Sequence, residues 1–398
     1  MLTVAIPGTE LASAANVLSD RYQVSIAEYA HFRRDGFLIV RNLVSGKEIA
    51  ELRQHSEDLM QGKLPEQQGR QMADRDSSKG GAVTVQGLES PPEHLSMEEK
   101  AQFFLRIHML HRKLELHERY MLHPRVLGVV EVLIGPDVLA MQTMLFLKPP
   151  GKPGQGWHQD SYYIPTTPDS LCGAWVAIDD VDEQNGAMWF AKGSGHEPIY
   201  PPCPDVGYGF GDKIVGDLQY VQGVSDPDDD KNSLTGVASK YDHLLATMKS
   251  GDVAFFNGHV LHRSKKNWTT DRYRRSFVSH YCNARSFTQW GADNTSAVAD
   301  QSATGADDVH RAPVIDLING MTNGSHILAR GDTHLHFAKP RFGTPCAALC
   351  PPEVRSAEYS KIALMIQVQN NGFPGCALAD PNLVDEDEPS DPKKGGGY

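Results

Sequence analysis

The segment Trp157-His158-Gln159-Asp160 constrains this chain more than any other. Side chains alternate along an extended segment, so a histidine and a carboxylate with one residue between them point to the same side. Placed on a strand, the pair supplies two ligands of a metal ion and cannot surround it. A third ligand must come from a distant strand, which obliges the chain to fold a second β segment across a pocket. The stretch 251–264 offers two imidazoles, His259 and His262. His262 is favoured because Ser264, Asn267 and Arg274 follow it, and His259 is the reserve. Two histidines and one carboxylate on one face suit iron(II), and they leave the opposite face for a co-substrate and dioxygen.

A 2-oxoglutarate co-substrate would chelate the iron at one end and leave its far carboxylate in need of a cation. Arginine is the natural partner, because its planar fork binds carboxylates bidentately and keeps its charge. With Arg274 in that role, the charges of iron(II), Asp160, 2-oxoglutarate and the guanidinium cancel, which avoids burying net charge. Arg275 and Arg272 are nearby alternatives. In the preceding strand Gln142, Met144, Phe146 and Lys148 share one parity, so Gln142 or Lys148 could reach the co-substrate; Lys148 could equally end an exposed strand.

The rest of the chain divides by texture. A short helical pattern over Ile26–Arg34 leads through Asp35-Gly36 into the strand Phe37–Val40. Ser45 and Glu48 have capping-box spacing and open an amphipathic helix to about Met60. Ser96 and Glu99 repeat that spacing, and apolar residues from Phe103 to Met121 predict a second long helix, which places His108 and His111 on an ordinary helix face. Another helix is expected over Val126–Leu133. After Gly135-Pro136 short strands follow: 138–148, 173–181, 187–191, 252–260 and 276–283. Helices first and strands afterwards predict an α+β chain, mainly β at its core, with helices on one face.

These residues resemble the phytanoyl-CoA dioxygenase (PhyH) family of iron(II)/2-oxoglutarate oxygenases. The resemblance rests on Asp35–Val40, Lys148–Gly151, Trp157–Asp160, Asp182–Gly186 with Gly193–His196, and Gly251–Phe256 followed by His262, Ser264, Asn267 and Arg274. It implies a double-stranded β-helix (a cupin-like jelly roll) with buttressing helices. It also implies His158, Asp160 and His262 as ligands, Arg274 with Ser264 on the 2-oxoglutarate tail, and Trp175 flanking the co-substrate. The implied reaction is hydroxylation of a small-molecule C–H bond, with release of succinate and CO2. Arg274 lies twelve residues after His262, one more than the family spacing, which keeps Arg275 in contention. A cupin-like metal enzyme without 2-oxoglutarate, or a binding protein on the same fold, are the rival readings.

A single domain is expected over residues 1–382: a helical part at 26–134, the β core at 137–290, a polar insertion at 201–242 and a C-terminal elaboration at 291–382. Residues 383–398 read as an acidic, Gly-rich tail. A net charge of −12 disfavours nucleic acid and anionic membranes as partners. Six scattered cysteines without a CxxC pair fit a reducing cytoplasm. Without an apolar leader or a run of roughly 18 apolar residues, a soluble protein acting on a small molecule is expected. Oligomeric state is left open.

Overall fold

The computed structural model describes residues 21–67, 94–96, 106–112, 114–200, 232, 234–288, 326–333 and 342–343. Two capping boxes, Ser25 with Glu28 and Ser45 with Glu48, start α1 (Ile26–Asp35) and α2 (Gly46–Met60). Between them Gly36, at φ 86°, turns the chain into β1 (Phe37–Val40); a side chain there would press on Val260.

The long helix expected to follow Ser96 is corrected over 106–112. There β2 (Arg106–His108) pairs with β3 (Val138–Lys148), which sets Ile107 opposite Leu145. Met109 then takes a left-handed φ of 63°, and Leu110–Arg112 form one 3-10 turn. His108 and His111 therefore share no helix face, and His111 Nδ1 meets Thr143 Oγ1 at 3.0 Å. Helix α3 (Glu115–Met121) begins only afterwards, and α4 (Pro124–Ile134) follows with proline in its first turn.

The main sheet runs β1, β8 (Val253–Asn257), β5 (Cys172–Ala177), β10 (Arg274–Asn283), β3, β12 (Ile327–Arg330) and β13 (Phe342–Gly343), with β2 also on β3. Apart from it, β4 (Thr166–Thr167) pairs with β11 (Phe287–Thr288). A smaller sheet, β7-β6-β9, is built from β6 (Met188–Ala191), β7 (His243–Leu245) and β9 (His262–Ser264). Among the described residues all strand pairings are antiparallel except β12 with β13.

Alternation sorts the main sheet into two buried faces. Leu38, Val176, Phe255 and Phe277 pack outward with Ile49, Leu52 and Val130 of the helices. Phe37, Trp175, Phe256 and Val278 pack inward, against Met188 and Phe190 of the smaller sheet. This is the jelly roll with buttressing helices, and the inward face becomes the wall of the site. No helix among the described residues is long and apolar enough to cross a membrane. Residues 201–231 and 233 of the expected insertion, the expected C-terminal elaboration apart from 326–333 and 342–343, and the tail at 383–398 lie outside the described residues.

Candidate active site

His158 and His262 face each other across a β-bridge, each N–H donating to the other's carbonyl at 3.1 Å. His262 opens β9, whose pairing with β6 fixes its ring over the inward core. The strand expected through His158 and Asp160 is shorter than its pattern suggested. Gln159 is extended (φ −120°, ψ 129°), and the chain then enters a one-turn helix, α5 (Asp160–Tyr163). One extended residue is enough to put His158 and Asp160 on the same side.

The turn is clamped from behind. Gln159 Nε2 donates to the carbonyls of Pro198 and His259, and Ser161 N–H donates to Gly258 O at 2.9 Å. A side chain at position 258 would overlap the Ser161 hydroxyl. The far end of the expected insertion reaches the same turn, where Asn232 Nδ2 donates to Trp157 O at 2.9 Å and Leu234 and Ala238 pack on Trp157.

Asp160 Oδ1 lies 3.7 Å from the Nε2 atoms of both His158 and His262. Those three ligand atoms all fall within 4.8 Å of one another. Each ring's Nδ1 sits against a backbone carbonyl, Gly156 O at 2.8 Å and Val260 O at 3.1 Å. A carbonyl only accepts, so each Nδ1 carries the proton and each Nε2 lone pair turns inward. Two lone pairs and a carboxylate oxygen converging in a buried space fit a divalent cation. Burial alone would raise the Asp160 carboxyl, but the imidazoles of His262, His280 and His158 hold it well below the usual carboxylate range.

His259, the reserve ligand, points elsewhere: its Nε2 pairs with Asp169 at 2.7 Å and its Nδ1 meets Glu197 O. The three arginines also separate. Arg272 pairs with Asp182, and Arg275 with Asp179 and Glu57. Arg274 alone turns inward, 5% exposed, with its guanidinium 5.5 Å over the ring of Trp175. Among the described residues its one side-chain hydrogen bond is Nη1 to Ser276 Oγ at 3.4 Å, and Nε has no acceptor. Among the described residues no carboxylate pairs with it, and burial pushes it down to about 10.

Ser264 accepts from Gln155 N–H at 3.3 Å through its hydroxyl. Lys148 is buried, and its ammonium donates to Lys265 O. Gln142, expected at the co-substrate, meets His280 Nδ1 at 3.0 Å, and His280 Nε2 meets Asp160 Oδ2 at 3.0 Å. The sequence reading gave His280 no role.

The family model Phytanoyl-CoA dioxygenase (PhyH) matches residues 32–276. "Phytanoyl-CoA dioxygenase, peroxisomal" of Rattus norvegicus is 28% identical over 291 residues, covering 70% of this chain and 76% of its own. "Ectoine dioxygenase" of Stutzerimonas stutzeri (strain A1501) is 27% identical over 244 residues, covering 60% and 70%. Among solved structures, the apo form of the non-heme monooxygenase ThoJ aligns over 86% of this chain and 97% of its own, at 18% identity and a TM-score of 0.50. That likeness speaks for the fold alone.

Proposed function

The chain belongs to the phytanoyl-CoA dioxygenase family of iron(II)- and 2-oxoglutarate-dependent dioxygenases, and from that premise we propose that it hydroxylates a C–H bond of a small molecule. His158, Asp160 and His262 are its metal ligands, and Arg274 holds the far carboxylate of 2-oxoglutarate beside Trp175. The observation that carries this reading is the pairing of an electron-rich triad with a buried arginine that has no carboxylate partner among the described residues. Iron(II) answers the first and a dicarboxylate the second. Together they leave the cavity neutral, which limits the cost of burying charge.

When bound, the iron, 2-oxoglutarate and dioxygen supply the oxidising chemistry: one oxygen atom enters the substrate C–H bond and the other enters succinate as CO2 departs. The chain supplies placement. The His158–His262 bridge and the Gln159 clamp hold the triad rigid, Trp175 and Ser276 flank the guanidinium, and Phe256 and Phe190 against His262 keep that wall dry. A carboxylate at position 160 occupies the place a halide would need, which favours hydroxylation over halogenation. A cupin-like enzyme working without 2-oxoglutarate would have no use for the desolvated Arg274.

The relatives' names carry phytanoyl-CoA and ectoine, both small molecules, and a small-molecule substrate is proposed here. A cytoplasmic location is proposed from the buried free thiols of Cys172 and Cys282 and is tested by cell fractionation; the rat relative is peroxisomal by name. The decisive assay is succinate release by the full chain with iron(II), ascorbate and air across a small-molecule library. Succinate should form with an equal amount of hydroxylated product, and His262→Ala should abolish both. Turnover that ignores 2-oxoglutarate, or that survives His262→Ala, would overturn the assignment.

A further inference from the structure

We infer that His280, held by Gln142, is a positioning residue that makes Asp160 a one-oxygen ligand. The inference rests on the proposed metal site and adds to it a residue that touches neither the cation position nor the co-substrate.

His280 lies on β10 directly across from Gln142 on β3, and the register slips between His280 and Tyr281. A bulge at that point re-aims the local side chains. Both residues are buried, at 3% and 1% exposure, so their polar atoms need partners. His280 Nε2 faces Asp160 Oδ2 at 3.0 Å, and a carboxylate oxygen only accepts, so Nε2 must carry the proton. His280 Nδ1 faces the Gln142 amide nitrogen at 3.0 Å, which only donates, so Nδ1 accepts. The two contacts demand the same tautomer, and neither ring nitrogen remains to bind a cation.

The consequence falls on Asp160. Its Oδ1 is turned to the Nε2 atoms of His158 and His262, while Oδ2 is engaged by His280. The hydrogen bond draws Oδ2 toward His280 and favours binding through Oδ1 alone. A chelating carboxylate would take a second position on the cation, one of those that the co-substrate and dioxygen need. The line Gln142–His280–Asp160 thus keeps that position open and fixes the carboxylate's angle. Partners at this remove commonly set ligand orientation and affinity.

The test is anaerobic titration of the full chain with iron(II), paired with the electronic absorption of its cobalt(II) form, which reports coordination number. His280→Phe keeps a ring and removes the donor; iron(II) affinity should fall roughly 10- to 100-fold, and the cobalt spectrum should change. His280→Gln restores an N–H donor and should recover much of both. Gln142→Leu should give a smaller loss in the same direction, and it stands as the test should His280→Phe fail to fold. Melting of each metal-free variant separates a loss of fold from a loss of ligand geometry. Wild-type affinity and an unchanged cobalt spectrum in His280→Phe and Gln142→Leu would overturn the inference. Failure of the wild-type chain to bind one equivalent of iron(II), or undiminished binding by Asp160→Ala, would instead overturn the metal site beneath it.

Discussion

Arg274→Met should weaken 2-oxoglutarate binding and, in the same protein, leave the metal-free fold as stable or more so. The opposite signs follow from the environment of the guanidinium. It is 5% exposed, stacked over Trp175, and among the described residues hydrogen-bonded by its side chain only to Ser276 Oγ at 3.4 Å. Burial, offset only in part by the charge of Asp179, pushes it down to about 10, equivalent to about 3 kcal/mol of desolvation left uncompensated in the free protein. A carboxylate seated on the fork would return it. Truncating one partner of such a buried charged pair costs about 3 kcal/mol, or roughly 150-fold in Kd.

Methionine fills similar space with apolar atoms, so the free protein sheds the desolvation cost and gains on the order of 1 kcal/mol or more. Arg274→Lys keeps the charge and loses the bidentate fork, so it should fall between wild type and Met in 2-oxoglutarate affinity. The assay is anaerobic calorimetric titration of 2-oxoglutarate into the iron(II)-loaded chain, alongside denaturant unfolding of the metal-free protein. Equal 2-oxoglutarate affinity in wild type and Arg274→Met would refute the assignment. A clear loss of stability in the metal-free variant would refute the claim that Arg274 is held at a cost.

Three further outcomes are expected. Arg275 is committed to Asp179 and Glu57, so Arg275→Met should cost about 3 kcal/mol of stability in denaturant unfolding while leaving 2-oxoglutarate affinity close to wild type; the reverse pattern would return the co-substrate role to Arg275. His259→Ala should still bind one equivalent of iron(II) in anaerobic titration, whereas His262→Ala should bind none, and equal losses would contradict the geometry. The third concerns pH. His55 and His117 meet through their Nε2 atoms at 3.0 Å; burial, outweighing Asp58 and Glu51, holds His55 at about 4, and burial keeps His117 well below its ordinary value. Both folded values lie below the unfolded one, so the unfolded chain takes up protons first as pH falls. Stability should be full above about pH 6.5 and decline as pH drops toward about 4, with a shallower decline in His117→Phe; a flat melting temperature across that window would exclude it.

Much of the fold was legible because its signals are local. Ser45 and Glu48 fix a helix start within four consecutive residues, and α2 begins at Gly46 and ends at Met60, as the pattern implied. Strand β3 keeps its expected bounds, Val138–Lys148, between a Gly-Pro turn and Pro149. The segment 106–112 was misread for an equally physical reason. Ile107 and Leu110 stand at helical spacing and are both fully buried, but Ile107 belongs to an edge strand and Leu110 to a 3-10 turn, with Met109 at positive φ between them. Apolar spacing alone does not separate a helix from a buried irregular run when the partner strand is a distant part of the chain.

The site divides along the same line. His158 and Asp160 are two residues apart, so one extended residue brings them together whatever the surrounding fold. The choice of His262 over His259 rested on the family pattern formed by Ser264, Asn267 and Arg274 after it. The His280 contact depends on the bulge beside Tyr281 and on the side chain across β3, neither of which leaves a mark within a few residues of position 280. One signal was nevertheless present. Once Arg274 is placed inward, alternation along β10 puts Ser276, Val278 and His280 on that same face, and a histidine there must find polar company among apolar neighbours. The parity that brought Gln142 toward the cavity applies equally to β3, so the two polar side chains were bound to compete for the same interior partners. Asp160 Oδ2 accepts from His280, and the geometry resolves the competition by joining all three.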